Sequence, residues 1–276
     1  MENFYDPNWV AGFYDQYADK EWSRWDRDAV HAVRFYVHVH YLRQWVKPGM
    51  RVLEAGAASG RFTQVLAELG AKVTVLDLSP KQLELNQANA AEHEFEEAVE
   101  ERVLADICDL SRFKDASFDA VVCYGGPLSY VFDARDLALA ELLRVTKAAG
   151  PVLLSVMCNW GTHKEYLYDI MHGGSAAQIQ AVATTGDLHP DTWPVETHRC
   201  HMFKADELKA FIQHSGAELV AISASNALTS GHQSGLDGLR KDRKRWQDLL
   251  QLELQACASP GCLDMGTHLI AVAKKA

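Results

Sequence analysis

The chain holds 276 residues, 48% of them hydrophobic, with a formal net charge of −10. That apolar content supports a substantial core in one large domain, or one domain with a cap. The acidic balance argues against a surface built to neutralise a nucleic-acid backbone, which draws on clustered Lys and Arg.

Twelve of the 26 aromatic residues lie in the first 45 positions, a density that needs burial. Apolar residues at helical spacing (Val30, Val33, Val37, Tyr41) predict a helix from Asp28 to Trp45, stopped by the Lys-Pro-Gly at 47–49. From Arg51 short apolar runs alternate with helical segments. Strands are predicted at 51–56, 72–79, 101–107, 118–125 and 151–157, and helices at 61–70, 79–95 and 133–150. Ser79 supplies an N-cap and Pro80 stands at N1. Strand and helix alternating with short links is the signature of a parallel sheet covered on both faces. The rhythm breaks over 158–203, then resumes with a helix at 204–216, a strand at 217–225, a helical segment at 239–256 and a terminal strand at 267–274. The basic run at 239–246, interrupted by Asp242, reads as a solvated helix face.

The stretch "VLEAGAASGRF", 52–62, sets bare small residues directly after a buried strand. In an open parallel sheet ligands bind beyond the carboxyl ends of the strands, and glycines let backbone approach them closely. The dinucleotide fingerprint would put Arg61 where a third glycine or alanine belongs, which disfavours a nicotinamide-dependent oxidoreductase. The spacing matches acid-x-G-x-G-x-G as Glu54, Gly56, Ala58 and Gly60, with one substitution. Here the chain resembles the class I S-adenosylmethionine-dependent methyltransferases, over roughly residues 45–160.

The resemblance implies a doubly wound, Rossmann-like α/β fold with a seven-stranded, mostly parallel sheet whose last strand is antiparallel. It implies S-adenosyl-L-methionine as cofactor, with Asp77 on the ribose hydroxyls, Leu78 against the adenine, Asp106 and Ile107 on its amino edge, and Tyr124 with Gly125 near the methionine part. Ala58 stands where the family usually has glycine, and a methyl group is expected there only with negative φ. The expected division is a helical lid over 1–46, a cofactor-binding core over 47–157, a substrate cap over 158–203 and a returning part of the core over 204–276.

The implied reaction is methyl transfer to an oxygen, nitrogen or carbon of a small molecule, and a non-catalytic cofactor-binding protein is the alternative. The turn "YGGPLSY" after the fourth strand lacks the leading acid or amide of adenine-methylating DNA enzymes. His189, His198 and His201 are candidates for a general base, since a histidine titrates near neutral pH. Tyr17 and Arg199 are expected to shape the acceptor pocket. "HRCH" at 198–201 matches no common zinc spacing, so no metal is expected. Six cysteines without a C-x-x-C pair, and an amino terminus unlike a signal peptide, lead to the expectation of a cytoplasmic protein without a membrane segment.

Overall fold

The computed structural model describes residues 4–193 and 198–275. Its centre is a seven-stranded sheet: β1 (Arg51–Ala55), β2 (Lys72–Asp77), β3 (Val99–Leu104), β4 (Ala120–Cys123), β5 (Pro151–Met157), β6 (Glu218–Ala224) and β7 (His268–Lys274). The spatial order is β3-β2-β1-β4-β5-β7-β6. The first five strands pair in parallel, while β7 runs antiparallel to both its neighbours. The chain leaves β1 toward β2 on one side, and β4 takes the other, so a crevice opens beyond the carboxyl ends of β1 and β4.

Both sheet faces are apolar because side chains alternate along a strand. Val52, Val122 and Leu153 join one core cluster, Leu53, Val121 and Leu154 the other, and all six are fully buried. On the first face lie residues of α2 (Ala29–Trp45), α3 (Arg61–Glu68) and, toward the end of the chain, a helix spanning Arg243–Cys257. The Asp28 side chain caps α2 by accepting from His31 N at 2.9 Å, and Val33, Val37 and Leu42 recur on its sheet-facing stripe. The opposite face holds Leu139 and Leu142 of the helix Arg135–Val145 and Leu208 and Ile212 of the helix Ala205–His214. The basic run belongs to an exposed segment ending in a helix capped by Asp242.

The amino-terminal segment, expected as one lid over 1–46, divides. The long helix α2 is a face layer of the core. The shorter α1 (Pro7–Tyr17), started by Asp6 as N-cap and Pro7 at N1, runs past the carboxyl edge together with the turn helices of Lys20–Asp26. The link is polar as well as apolar: fully buried Gln82, on α4 (Pro80–Glu92), donates through Nε2 to Tyr14 O and Ala18 O at 2.9 and 3.2 Å.

The insertion after β5 forms three helices, Asn159–Glu165, Leu167–Gly173 and Ala176–Thr185, and a two-strand ribbon pairing Asp187–Leu188 with Cys200–His201. Its residues 194–197 lie outside the described part. A third apolar cluster, with Val182, Trp193, Cys200 and Met202, packs against Val10 and Tyr14 of α1 and against Tyr130. Cap and amino-terminal segment therefore share one core above the sheet edge. No described helix is long and apolar enough to cross a membrane.

Candidate active site

The glycine turn is built as its sequence demands at two positions. Gly56 has φ +76°, and a Cβ there would lie 2.2 Å from Pro127 Cγ, so no side chain fits. Gly60, at φ +99°, precedes α3. Ala58 departs from expectation: its φ is +48°, left-handed, despite its methyl group. The conformation is held because Ala58 N donates to Asp77 Oδ2 at 2.8 Å, while Asn89 Nδ2 on α4 donates to Ser59 O at 2.8 Å. The strain, on the order of 1–2 kcal/mol for a left-handed non-glycine residue, is the cost of aiming this N–H at Asp77.

Two expected acids sit at strand ends facing the cleft. Asp77 closes β2, 8% exposed, and accepts from Ala58 N and from Ser79 N at 2.9 Å. Burial pushes its carboxyl up to about 6 against the pull of those N–H groups. Each oxygen keeps a lone pair for a further donor. Asp106 follows β3; its Oδ1 accepts from Cys108 N at 2.8 Å and its Oδ2 from the Tyr5 hydroxyl at 2.6 Å. Gly56, Ala58, Asp77, Leu78, Asp106, Ile107 and Tyr124 line one cleft, with Gly125.

Glu54 and Gly60 are placed differently. Glu54 is 3% exposed and sits behind the turn, its Oε2 accepting from Thr63 Oγ1 at 2.6 Å; burial raises its carboxyl to about 8. It braces α3 instead of lining the cleft. Gly60 lines a side recess with Arg24 and Glu21.

Glu21 and Arg24 were not singled out in the sequence. Glu21 is 7% exposed and lines the cleft; its Oε1 lies 2.9 Å from Arg24 Nε, and its Oε2 has no hydrogen-bond partner among the described residues. Burial raises the Glu21 carboxyl, opposed by Arg24 and helped by the charge of Asp77. Arg24 Nη2 would lie 3.4 Å from a Cβ placed on Gly125, so the guanidinium faces the end of β4. The Tyr124 hydroxyl is likewise buried without a partner in the described residues. A nucleoside with a zwitterionic tail fits this set: acids for hydroxyls and an amino group, a backbone cradle a Cβ would fill, and an acid–guanidinium pair at the far end.

Beyond the cleft lies a second chamber of about 140 Å³, which shares Tyr14, Glu21 and Tyr130 with it. The Tyr14 hydroxyl donates to that of Tyr130 at 2.8 Å across the shared wall. Tyr17 and His198 line this chamber. His198 packs on Phe13, ring centroids 5.0 Å apart, with Nδ1 buried and unpartnered among the described residues. Burial and then Arg24 hold its imidazole below its ordinary range.

The other two histidines point elsewhere. His201 is 2% exposed and clamped at 2.7 Å between Asp187 and Glu207 through its two ring nitrogens; against burial, those carboxylates hold it above its ordinary range. His189 stacks on Phe4 at 4.0 Å and takes Asp191 N on Nδ1 at 3.2 Å. Arg199 lies over the Trp9 ring, 4.6 Å from its centroid, and so fastens α1 to the cap without lining the chamber. The physical reason is the ribbon: residues one apart on an extended segment face opposite ways, and only some of 198–201 can face inward. Among the described residues no group of three His, Cys, Asp or Glu side chains is arranged to hold a metal.

Comparison with known proteins agrees with this geometry. A methyltransferase domain model matches residues 53–154. A malonyl-[acyl-carrier protein] O-methyltransferase of Erwinia pyrifoliae is 36% identical over 145 residues, covering 52% of this chain and 51% of that one. The chain spans about half the length of several curated relatives that it matches. Among solved structures, Burkholderia thailandensis 1,6-didemethyltoxoflavin-N1-methyltransferase, with bound 1,6-didemethyltoxoflavin and S-adenosylhomocysteine, superposes with a TM-score of 0.56 at 17% identity, over 100% of this chain and 92% of that one. The [4+2]-cyclase SpnF superposes with a TM-score of 0.56 at 19% identity, over 89% and 82%. At such identities the likeness is one of fold. With its glycine turn, strand-end acids and sheet order, the chain carries over residues 53–154 the methyltransferase domain that the family model describes, in a fold shared with S-adenosylmethionine-dependent methyltransferases.

Proposed function

We propose that this chain transfers the methyl group of S-adenosylmethionine to an oxygen, nitrogen or carbon atom of a small molecule. The carrying observation is the wall shared by the cleft and the second chamber, which puts a further space beside the cleft's Glu21 end and supports reading it as the acceptor's. The cofactor supplies an already activated methyl group, so the protein's work is positioning, together with proton removal where the acceptor carries one. In this reading Asp77 accepts the ribose hydroxyls, Asp106 the adenine amino group, and Arg24 with Glu21 holds the carboxylate and ammonium of the methionyl end. His198 is the base when the acceptor is protic. The relatives' names, malonyl-[acyl-carrier protein] O-methyltransferase and ubiquinone biosynthesis O-methyltransferase, support an oxygen as the accepting atom.

The test is label transfer from methyl-labelled S-adenosylmethionine into a mixture of small metabolites. Label in the small-molecule fraction, accompanied by S-adenosylhomocysteine, is the expected result. With a protic acceptor, His198→Ala is expected to slow that transfer at least tenfold while S-adenosylhomocysteine affinity stays within twofold; His189→Ala keeps near-wild-type turnover. A second reading, a family member that binds the cofactor for another task, is favoured by the likeness to a cyclase. Tight S-adenosylhomocysteine binding with no label transferred to any metabolite selects it.

A further inference from the structure

The second chamber does not end at His198. It meets a larger cavity of about 540 Å³ under the insertion along Met157, Thr162, Tyr166 and His198. The two spaces differ in chemistry. The smaller has Arg24, Arg27 and Arg34 on its walls with His31, His38 and His268. The larger is lined by Ile170, Val182, Leu188, Trp193 and Met202, and Asp169 on its lining is exposed to solvent.

We propose that the methyl acceptor is an anionic amphiphile, with an acidic oxygen head in the arginine–histidine chamber and an apolar tail in the cavity beneath the insertion. The inference rests on the methyltransferase reading and names the substrate class for that same site.

Size and chemistry argue for it together. A space of about 140 Å³ suits a head group, and the cavity nearly four times larger suits an apolar chain or ring system. The head chamber is a built site: Arg34 is 6% exposed, donates through Nε to Asn226 Oδ1 at 3.1 Å and lies 3.1 Å from Glu165, which fixes its guanidinium. Glu21, Asp28 and Glu165 each partner an arginine, and the guanidinium charges still reach the chamber's histidines. After burial, Arg24 and Arg34 both depress His38 and His268, and Arg24 depresses His198. Such a field favours an anion and disfavours a cationic head. With an anionic head the chemistry balances without a base: the head oxygen bonds the methyl carbon as the C–S bond breaks, the electron pair goes to sulfur, and a neutral thioether leaves.

The experiment is calorimetric titration of the full chain, first with S-adenosylhomocysteine and then, at saturation, with decanoate, acetate, decanol, decyltrimethylammonium and an alkylated nitrophenolate. Decanoate or the nitrophenolate is expected to bind at least tenfold more tightly than acetate, decanol or the ammonium, and the tighter of the two names the head. Val182→Trp, filling the tail cavity, is expected to weaken that ligand tenfold with S-adenosylhomocysteine affinity within twofold; Ile170→Trp replaces it should that variant not fold. Arg34→Gln, or the more exposed Arg27→Gln, is expected to narrow the preference for decanoate over decanol. Decanol binding as tightly as decanoate overturns the anionic head, and acetate matching decanoate overturns the tail. Loss of S-adenosylhomocysteine binding with amphiphile selectivity retained overturns the cofactor reading alone.

Discussion

Ala58 and Glu54 show how far single residues carry the account. The left-handed φ of Ala58 makes Ala58→Gly a gain: relief of about 1–2 kcal/mol of strain less about 0.4–1 kcal/mol of added chain entropy. The expected net is about 0–1.6 kcal/mol, with a rise of roughly 2–4 °C in Tm for each 1 kcal/mol. A lower Tm for the glycine variant would contradict the geometry. Glu54 carries a pH signature. Its folded carboxyl, held up to about 8 by burial, lies above its ordinary value of 4.5, so its contribution to stability is full below about 4.5 and lost as pH rises through about 8. Glu54→Gln keeps an oxygen for Thr63 and does not ionise, so its Tm relative to wild type is expected to rise between pH 6 and pH 9. A constant difference across that range would mean that Glu54 is not buried as described. The glycines and Asp77 were legible because their geometry is local, a strand end and the turn beside it. Glu21 and Arg24 were not, since an i,i+3 pair in an aromatic segment shows its partner surface only when the segment lies on Gly125 and the cleft.

At the scale of elements, the alternating core was readable because buried parallel strands are continuous apolar runs and their helices carry caps such as Ser79, which accepts from Gln82 N at 3.0 Å. Strand ends moved by about two residues: β3 starts at Val99, and Phe118 makes only a bridge to Thr146 before β4. The first 46 residues were harder. Aromatic density announces burial without saying on what, and it covers both a sheet-facing helix and α1, which crosses the cleft edge. Just before α1, the Tyr5 hydroxyl holds the Asp106 oxygen that an adenine amino group would use. Tyr5→Phe removes that competitor, and S-adenosylhomocysteine is expected to bind two- to tenfold more tightly. Weaker binding to the variant would mean that Tyr5 holds the nucleoside together with Asp106.

For the whole molecule, sheet, cap and amino-terminal segment enclose three linked spaces: a cleft at the strand ends, a polar chamber behind Tyr14 and Tyr130, and an apolar cavity under the insertion. The fold positions the first, and the insertion, irregular in sequence, makes the last. This is why the cleft at the strand ends was legible and the cavity under the insertion was not: Val182, Trp193 and Met202 converge only after the ribbon returns. The central claim is that Asp77 and its neighbours form a site for S-adenosylmethionine. Its most direct test is calorimetric titration of wild type and Asp77→Ala with S-adenosylmethionine, S-adenosylhomocysteine and NAD. Micromolar binding of the first two, weakened at least tenfold in the variant whose folding is confirmed by its melting curve, is the expected result. Binding of NAD alone, or S-adenosylhomocysteine affinity indifferent to Asp77, would contradict it.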